Sequence, residues 1–346
     1  MATIVKINGV RYDNFDNLKM NIGFDTLQST FSFAATFDPT NASHRRLFFP
    51  LTYQLVEIFD GRQLLFTGNI ISATYPDTEK DQLIVVSGYA KTGVLSDSSI
   101  PPDLSLEVNQ KNLRDITEDL IGRFGLNLVI SPEVMEDALK LYEKSTANLS
   151  QSVGDYISAL ASQRNIIVSH TPAGDVLFTR PRKDRESIAT YSQNVPTLKF
   201  NLSVNGQAMH SQVTVQRQST IGSDIEGNET VKNPMVQQYR PLVKEQQNGA
   251  AGDTMQATQN AIASELKNIA LTIETDRWLW FNGRVLSTIQ VNNYVDVITP
   301  KLFFTRRTNM FVQGVAFNET QKKRTATLTC VIPETFNGDP IRQIFT

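Results

Sequence analysis

The 346-residue chain is 40% hydrophobic and 20% charged, with a formal net charge of −2, which bounds it to an ordinary soluble profile with room for two or three cores. No apolar run reaches the roughly 20 residues of a membrane helix, no basic-then-apolar leader opens the chain, and the charge gives no reason for non-specific nucleic-acid binding. A single cysteine, Cys330, excludes internal disulfides and suits a reducing compartment.

Met1 to Ile7 reads as a strand that turns at Asn8-Gly9, and strands over Asn17 to Phe24 and Gln28 to Phe37 follow. Phe31, Phe33, Ala35 and Phe37 recur at the period of two that a half-buried strand requires. His44-Arg45-Arg46 and Pro50 break the pattern. Tyr53 to Phe59 and Leu64 to Ile71 then flank Asp60-Gly61, a pair that tolerates the positive φ of a tight hairpin turn. A polar turn at 76–80 leads into a third strand, Leu83 to Tyr89. Val56 and Ile58 point one way and Tyr53, Leu55 and Phe59 the other, so neither face is cleanly polar. A small barrel with an outer covering layer accounts for this better than a meander with one wet face. The Pro-Pro step at 101–102 marks the end of this first domain, residues 1–96.

Residues 97–195 contain a duplication: Asn112-Leu113-Arg114-Asp115 returns as Ser152-Val153-Gly154-Asp155. Each unit opens with a cap residue and an acid three positions on, a capping-box pattern with Asp in place of Glu. Leu113, Ile116, Leu120 and Phe124 form one helical stripe; Val153, Ile157, Leu160 and Ala161 form the other. The strands Leu126 to Ile130 and Ile166 to Val168 follow the two helices, and Val168 to Arg180 makes a hairpin around Ala173-Gly174. Strands resume in residues 196–335, at Leu198 to Leu202 and Val213 to Gln216. The stretch 218–253 is polar, with Gly222, Gly227, Gly249 and Gly252, and reads as a long arm. An inserted helix at 254–269 carries Met255, Ile262, Leu266 and Ile269. Further strands are expected at Leu271 to Glu274, Arg284 to Val291, Tyr294 to Ile298, Met310 to Phe317 and Arg324 to Ile332. The expected fold is therefore mainly β with an α+β insert, two small β-barrel domains flanking a duplicated helix–strand unit.

Little chemistry emerges. His44, His170 and His210 lie in unrelated segments without metal-ligand spacing, and Cys330 sits inside an apolar strand. Glu133, Glu136 and Asp137 could imitate paired hydrolytic carboxylates, but they follow Pro132 in a polar stretch that reads as a solvated helix end. The basic clusters Arg180-Pro181-Arg182-Lys183 and Lys322-Lys323-Arg324 fall at turns. Trp278 and Trp280, near Asp276, share one face of a strand and suit a sugar platform, a core or an interface equally well. No catalytic, cofactor-binding or metal site is expected. In the last segment, 336–346, Phe336, Ile341, Ile344 and Phe345 flank Pro340 without a strand partner, so they either dock on another protein or fold back.

The order of barrel, duplicated unit and second barrel with an inserted helix resembles the baseplate hub proteins of contractile-tailed phages. The nearest pattern is the Mu-like hub within the late-control-D group, which includes secretion-system spike hubs. The resemblance rests on Phe66-Thr67-Gly68-Asn69-Ile70 and Val85-Val86-Ser87-Gly88-Tyr89, then Asn112-Leu113-Arg114-Asp115-Ile116. It continues through Ala173-Gly174-Asp175-Val176-Leu177-Phe178, Tyr239-Arg240-Pro241 and Asp276-Arg277-Trp278. It implies a homotrimer in the virion baseplate, assembled in the host cytoplasm and without stable membrane association. That trimer would contact the central spike, tail tube, baseplate wedge and tape-measure proteins and enclose a channel for genomic DNA. The interface residues put forward are Phe336, Ile341, Ile344, Phe345, Trp278 and Trp280. The competing reading is a tail-associated carbohydrate-binding or peptidoglycan-processing protein. The two β domains are also expected to be copies of one design, each with a strand glycine (Gly68 and Gly314), and to present sixfold-like units around a trimer axis.

Overall fold

The structure, a computed structural model, describes residues 2–75, 83–104, 107–148, 150–218, 225–245, 254–281, 287–337 and 339–345. The turn expected at 76–80, the arm's Gly222, Gly249 and Gly252, and the start of the strand expected over Arg284 to Val291 lie outside the described residues.

The first β run comprises β1 (Thr3–Ile7), β2 (Val10–Tyr12), β3 (Phe15–Gly23), β4 (Thr30–Thr36), the helix α1 (Ala42–Leu47), β5 (Leu55–Asp60), β6 (Gln63–Thr74) and β7 (Leu83–Ala90), followed by the single turn α2 (Val94–Asp97). Phe31, Phe33 and Ala35 are buried, as their period of two predicts. The hairpin turn falls one residue later than the sequence suggests. Asp60 still pairs with Gln63, and Gly61, at φ 61°, opens the turn. That shift frees the Asp60 carboxylate for a contact described below.

The insert holds β8 (Glu107–Asn112), α3 (Leu113–Ile121), β9 (Leu128–Ile130), α4 (Met135–Leu139), β10 (Leu141–Thr146), α5 (Val153–Ser162), β11 (Ile167–His170) and β12 (Val176–Thr179). Both expected caps are present. The Asn112 side chain accepts the Asp115 amide at 2.8 Å, and Ser152 accepts that of Asp155 at 3.0 Å, satisfying amides that a helix start leaves free. The stripes of α3 and α5 meet Val176 and Phe178 in one core, over a mixed sheet ordered β11-β12-β9. The β8–β10 pair carries no apolar alternation that would announce it.

The second β run comprises β13 (Ser187–Ser192), β14 (Lys199–Val204), β15 (Gln212–Gln218), β16 (Ile225–Lys232), β17 (Pro241–Glu245), the helix α6 (Thr254–Ser264), β18 (Ile269–Thr275), β19 (Asn293–Thr299), β20 (Phe304–Glu319), β21 (Arg324–Val331) and the turn α7 (Glu334–Asn337). The region read as a loop-like arm thus contains two strands, which join β15 in a separate sheet. Val213, Val215, Val231 and Leu242 give α6 a surface for Ile262. The polar residues between them hide that alternation in the sequence.

The remaining strands form one thirteen-stranded sheet. The antiparallel pairings β3–β4, β4–β7, β7–β6 and β6–β5 recur as β14–β18, β18–β21, β21–β20 and β20–β19, in the same chain order. Irregularities coincide too. β6 bulges between its pairs Ile70–Gly88 and Ser72–Ser87, and β20 between Val312–Cys330 and Gly314–Thr329. The residues entering β5 and β19, Tyr53 and Asn292, have φ of 48° and 58°. Aligned on the bulges, Gly314 corresponds to Ser72, and Gly68 to Met310. The two glycines expected to mark the repeat are therefore not equivalent, although the strand order is repeated.

One feature of the expected architecture needs correction: neither half closes into a barrel among the described residues. The sheet runs open from β2 to β14. Past its bulge β20 leaves β19 and pairs with β3, Gly314 to Glu319 facing Gly23 to Leu18, so an edge that closure would need joins the halves instead. One apolar core, from Val5 to Cys330, runs through both. The joint also carries an ion pair between a buried Asp60 and a partly buried Arg324. Asp60 accepts hydrogen bonds from Arg324 at 3.0 Å and from the Thr288 hydroxyl at 2.8 Å, and the Arg324 guanidinium lies 3.9 Å over the Trp278 ring.

Candidate partner interface

Several backbone edges are left without a strand partner among the described residues, β2 and β13 at the margins of the large sheet included, and two of them lie where the halves repeat. One is the side of β14 facing away from β18; the other is the end of β6 past its bulge, Ser72–Thr74, where β5 has already stopped. Beside this second edge runs the loop from α1 to β5. Asn41 caps α1 by accepting the Ser43 amide at 2.9 Å, and the exposed Arg45 and Arg46 follow. Leu51 (φ 59°) and Tyr53 (φ 48°) then adopt the left-handed conformation, which costs bulky L-residues about 1–2 kcal/mol each. Side-chain hydrogen bonds fix it: Thr52 donates to the Phe49 carbonyl at 2.7 Å, Gln54 to the Thr52 hydroxyl at 2.8 Å, and Asn69 to the Tyr53 carbonyl at 2.7 Å. The loop therefore presents Phe49, Leu51 and Tyr53 to solvent, Leu51 being 82% exposed. With Ile70, Ile71 and Tyr75 they line a hollow of about 210 Å³. The apolar run Leu47-Phe48-Phe49, next to Pro50 and too short for a strand, was the sequence signal for this surface.

The residues put forward from sequence are buried or half-buried in the single chain. Trp278 and Trp280 are buried; the Trp278 indole donates to the Thr325 carbonyl at 2.9 Å. Phe336 is buried edge-on against Phe24 and tilted against Phe311, at 5.4 and 5.3 Å between centroids. Ile341, Ile344 and Phe345 are half-buried and pack on the chain's own cores, Phe345 lying 5.9 Å from Phe304. In the single chain the last segment folds back on the β run.

The acidic cluster is also dispersed. Burial would raise the Asp137 carboxyl, but hydrogen bonds from Lys140 and Arg180 outweigh it and hold the group below the usual carboxylate range, the opposite of what a general acid needs. Glu133 accepts from Thr179 at 3.3 Å, and Asp276 pairs with Arg277. Burial pushes the Cys330 thiol far up. His44 accepts the Asp38 amide at 3.0 Å, and His210 faces the buried Glu265 at 2.8 Å. No group of three or more His, Cys, Asp or Glu with metal-binding geometry occurs among the described residues. His170 is buried where β11 meets the turn before β4, its Nε2 2.6 Å from the Ser29 hydroxyl and its Nδ1 3.1 Å from the Thr171 carbonyl.

Two β halves of one strand order, fused into an open sheet with an α+β insert between them, make up a fold that occurs among phage tail proteins. The chain shares that fold with the 43 kDa tail protein of prophage MuSo2 from Shewanella oneidensis (TM-score 0.81, 17% identity, covering 97% of this chain and 99% of that one). A tail protein from Neisseria meningitidis MC58 matches equally well (TM-score 0.80, 17% identity, 99% of each chain). A more distant match is the E. coli c3393 protein, a type VI secretion component with structural similarity to the T4 tail proteins gp27 and gp5 (TM-score 0.55, 10% identity, 95% of this chain and 76% of that one). No protein-family model matches the sequence, and no curated protein does.

Proposed function

We propose that the chain is a structural component of a phage tail: the hub of a contractile baseplate, working as a homotrimer between the tail tube and the central spike. The observation that carries this reading is the end-to-end match, at TM-scores of 0.81 and 0.80, to a prophage tail protein and to a second tail protein. The repeated strand order adds a reason of its own. Three copies of a chain with two equivalent halves offer six similar units around an axis, which suits docking onto a sixfold tube. In this reading residues 1–96 and 196–335 form the ring and 97–195 an outer layer, with genomic DNA passing through the centre. Wedge and tape-measure proteins contact its faces, and residues 336–346 lie near the spike.

Light scattering on purified protein is expected to give the mass of three chains, and, with the spike protein of the same tail, the mass of three chains plus the bound spike. Imaging of assembled tails should then place the chain between tube and spike. A strictly monomeric mass under both conditions would overturn the trimer. Purified protein is expected to leave peptidoglycan intact; cleavage lost on substituting Glu133, Glu136 or Asp276 by Ala would overturn the structural role.

A further inference from the structure

Within the chain, β3 lies along the bulged end of β20, with Gly314, Val315, Ala316 and Phe317 opposite Gly23, Ile22, Asn21 and Met20. The repeat assigns an equivalent to each partner. β14 corresponds to β3: Leu202 pairs with Leu271 as Met20 pairs with Phe31, and Ser203 with Ala270 as Asn21 with Thr30. The end of β6 corresponds to the end of β20 through their matching bulges. Those two elements carry two of the open edges.

We infer that β14 of one copy adds antiparallel to the end of β6 in the next copy, with Asn205, Val204, Ser203 and Leu202 opposite Ser72, Ala73, Thr74 and Tyr75. The inference rests on the homotrimer reading and names the surface through which it closes. The same register puts Val204 and Leu202 against Ala73 and Tyr75 on the core side. Tyr75 is 37% exposed in the single chain, whereas its equivalent Phe317, covered by β3, is 1% exposed. Val204, at 52%, is another apolar residue that the contact covers. The hollow lined by Leu51, Tyr53 and Ile71 lacks a wall for the same reason. Its counterpart in the second half, beside Ile289 to Asn292, is walled by Gly23 and Phe24 at the end of β3. One chain thus offers a donor strand at one end and an acceptor edge at the other. Such head-to-tail contacts close into a ring when the rotation permits, and closure removes two edges that would otherwise invite aggregation.

A cysteine pair tests the register. Thr74 and Ser203 are both exposed, and the one native cysteine is buried. Directly opposed residues of antiparallel strands have Cα atoms about 4.5–5.5 Å apart, within disulfide reach. Full-length protein carrying Thr74→Cys with Ser203→Cys is expected to give dimers and trimers on a non-reducing denaturing gel after mild oxidation. The pair Thr74→Cys with Asn201→Cys, two residues out of register, should give about tenfold less. A parallel test uses charge: Val204→Glu should move the native mass toward one chain with the far-ultraviolet spectrum unchanged, and adding Ala73→Lys should restore it. If the wild type is a trimer while the in-register pair stays monomeric or links only within a chain, or Val204→Glu leaves assembly intact, the joint is wrong and the hub reading stands. A wild type that remains monomeric with its spike present overturns both.

Discussion

The first and second β halves repeat one strand order but differ in how they are built and how they end. In the first, β3 to β7 follow one another with only the α1 loop between them. In the second, β14 is separated from β18 by a three-stranded sheet and a helix. β1 runs antiparallel to β5, whereas β13 runs parallel to β19. The second half has its bulged edge covered from within the chain; the first leaves the equivalent edge open beside a strained apolar loop. The pairing scheme, not the local sequence, is what the halves share. The strand glycines make the point. Gly68 stands where the second half has Met310, because in β6 the backbone of β7 comes too close for any side chain.

The largest expected effect separates those glycines. A Cβ at Gly68 would lie 2.2 Å from the Tyr89 carbonyl oxygen, a backbone atom with little room to move, whereas at Gly314 the nearest atom is 3.6 Å away. Gly68→Ala is expected to cost more than about 3 kcal/mol or prevent folding, as severe overpacking does. Gly314→Ala should stay within about 1 kcal/mol of wild type, since Ala is less entropically demanding in a strand. Urea midpoints of the two variants give the comparison, and similar values would show that the β7 backbone yields to a side chain at Gly68.

Next in size is the seam between the halves. Arg324→Ala leaves the Asp60 carboxylate, 1% exposed, with the Thr288 hydroxyl but without its charged partner, a loss of up to about 3 kcal/mol because Arg324 is itself only partly buried. Combining Asp60→Asn with Arg324→Met should recover part of that loss in denaturant unfolding. A single substitution with no effect would show that Asp60 finds compensation elsewhere.

A smaller effect is expected where the insert meets the first half. The Thr171 carbonyl can only accept, so Nδ1 of His170 carries the proton and Nε2 accepts from Ser29. Burial lowers the imidazole pKa, and protonation would also disrupt the Ser29 hydroxyl, which already accepts the Gly23 amide at 3.1 Å. The unfolded chain therefore binds a proton first. The contribution of His170 is full above about pH 6.5, the ordinary histidine value, and is lost as pH falls from there toward the lowered folded value. Melting curves between those limits should show the decline, and His170→Gln should flatten it. The smallest change lies outside the β halves: Asn112→Ala and Ser152→Ala should each cost about 1 kcal/mol through loss of a helix cap, and nearly additively, since they cap different helices.

What the sequence determined by itself was local. Asn112 and Ser152 cap helices because a side-chain oxygen reaches an amide three residues on, whatever surrounds it. Phe31, Phe33 and Ala35 line one face because a strand alternates, and Gly61 turns because it tolerates positive φ. These signals were enough for a mainly β chain with a duplicated helical insert. The tertiary structure decided what depends on competition for an edge. It placed β3 on β20 rather than closing either half, and it turned Asp60 from a turn residue into the partner of Arg324. It buried Trp278 and Phe336, and it left Leu51, Tyr75 and Val204 outside. No residue near those positions in the chain dictates that outcome, because pairing partners 200 and more residues apart, such as Asp60 and Arg324, are chosen by which backbone edge is still free and which apolar face is still bare.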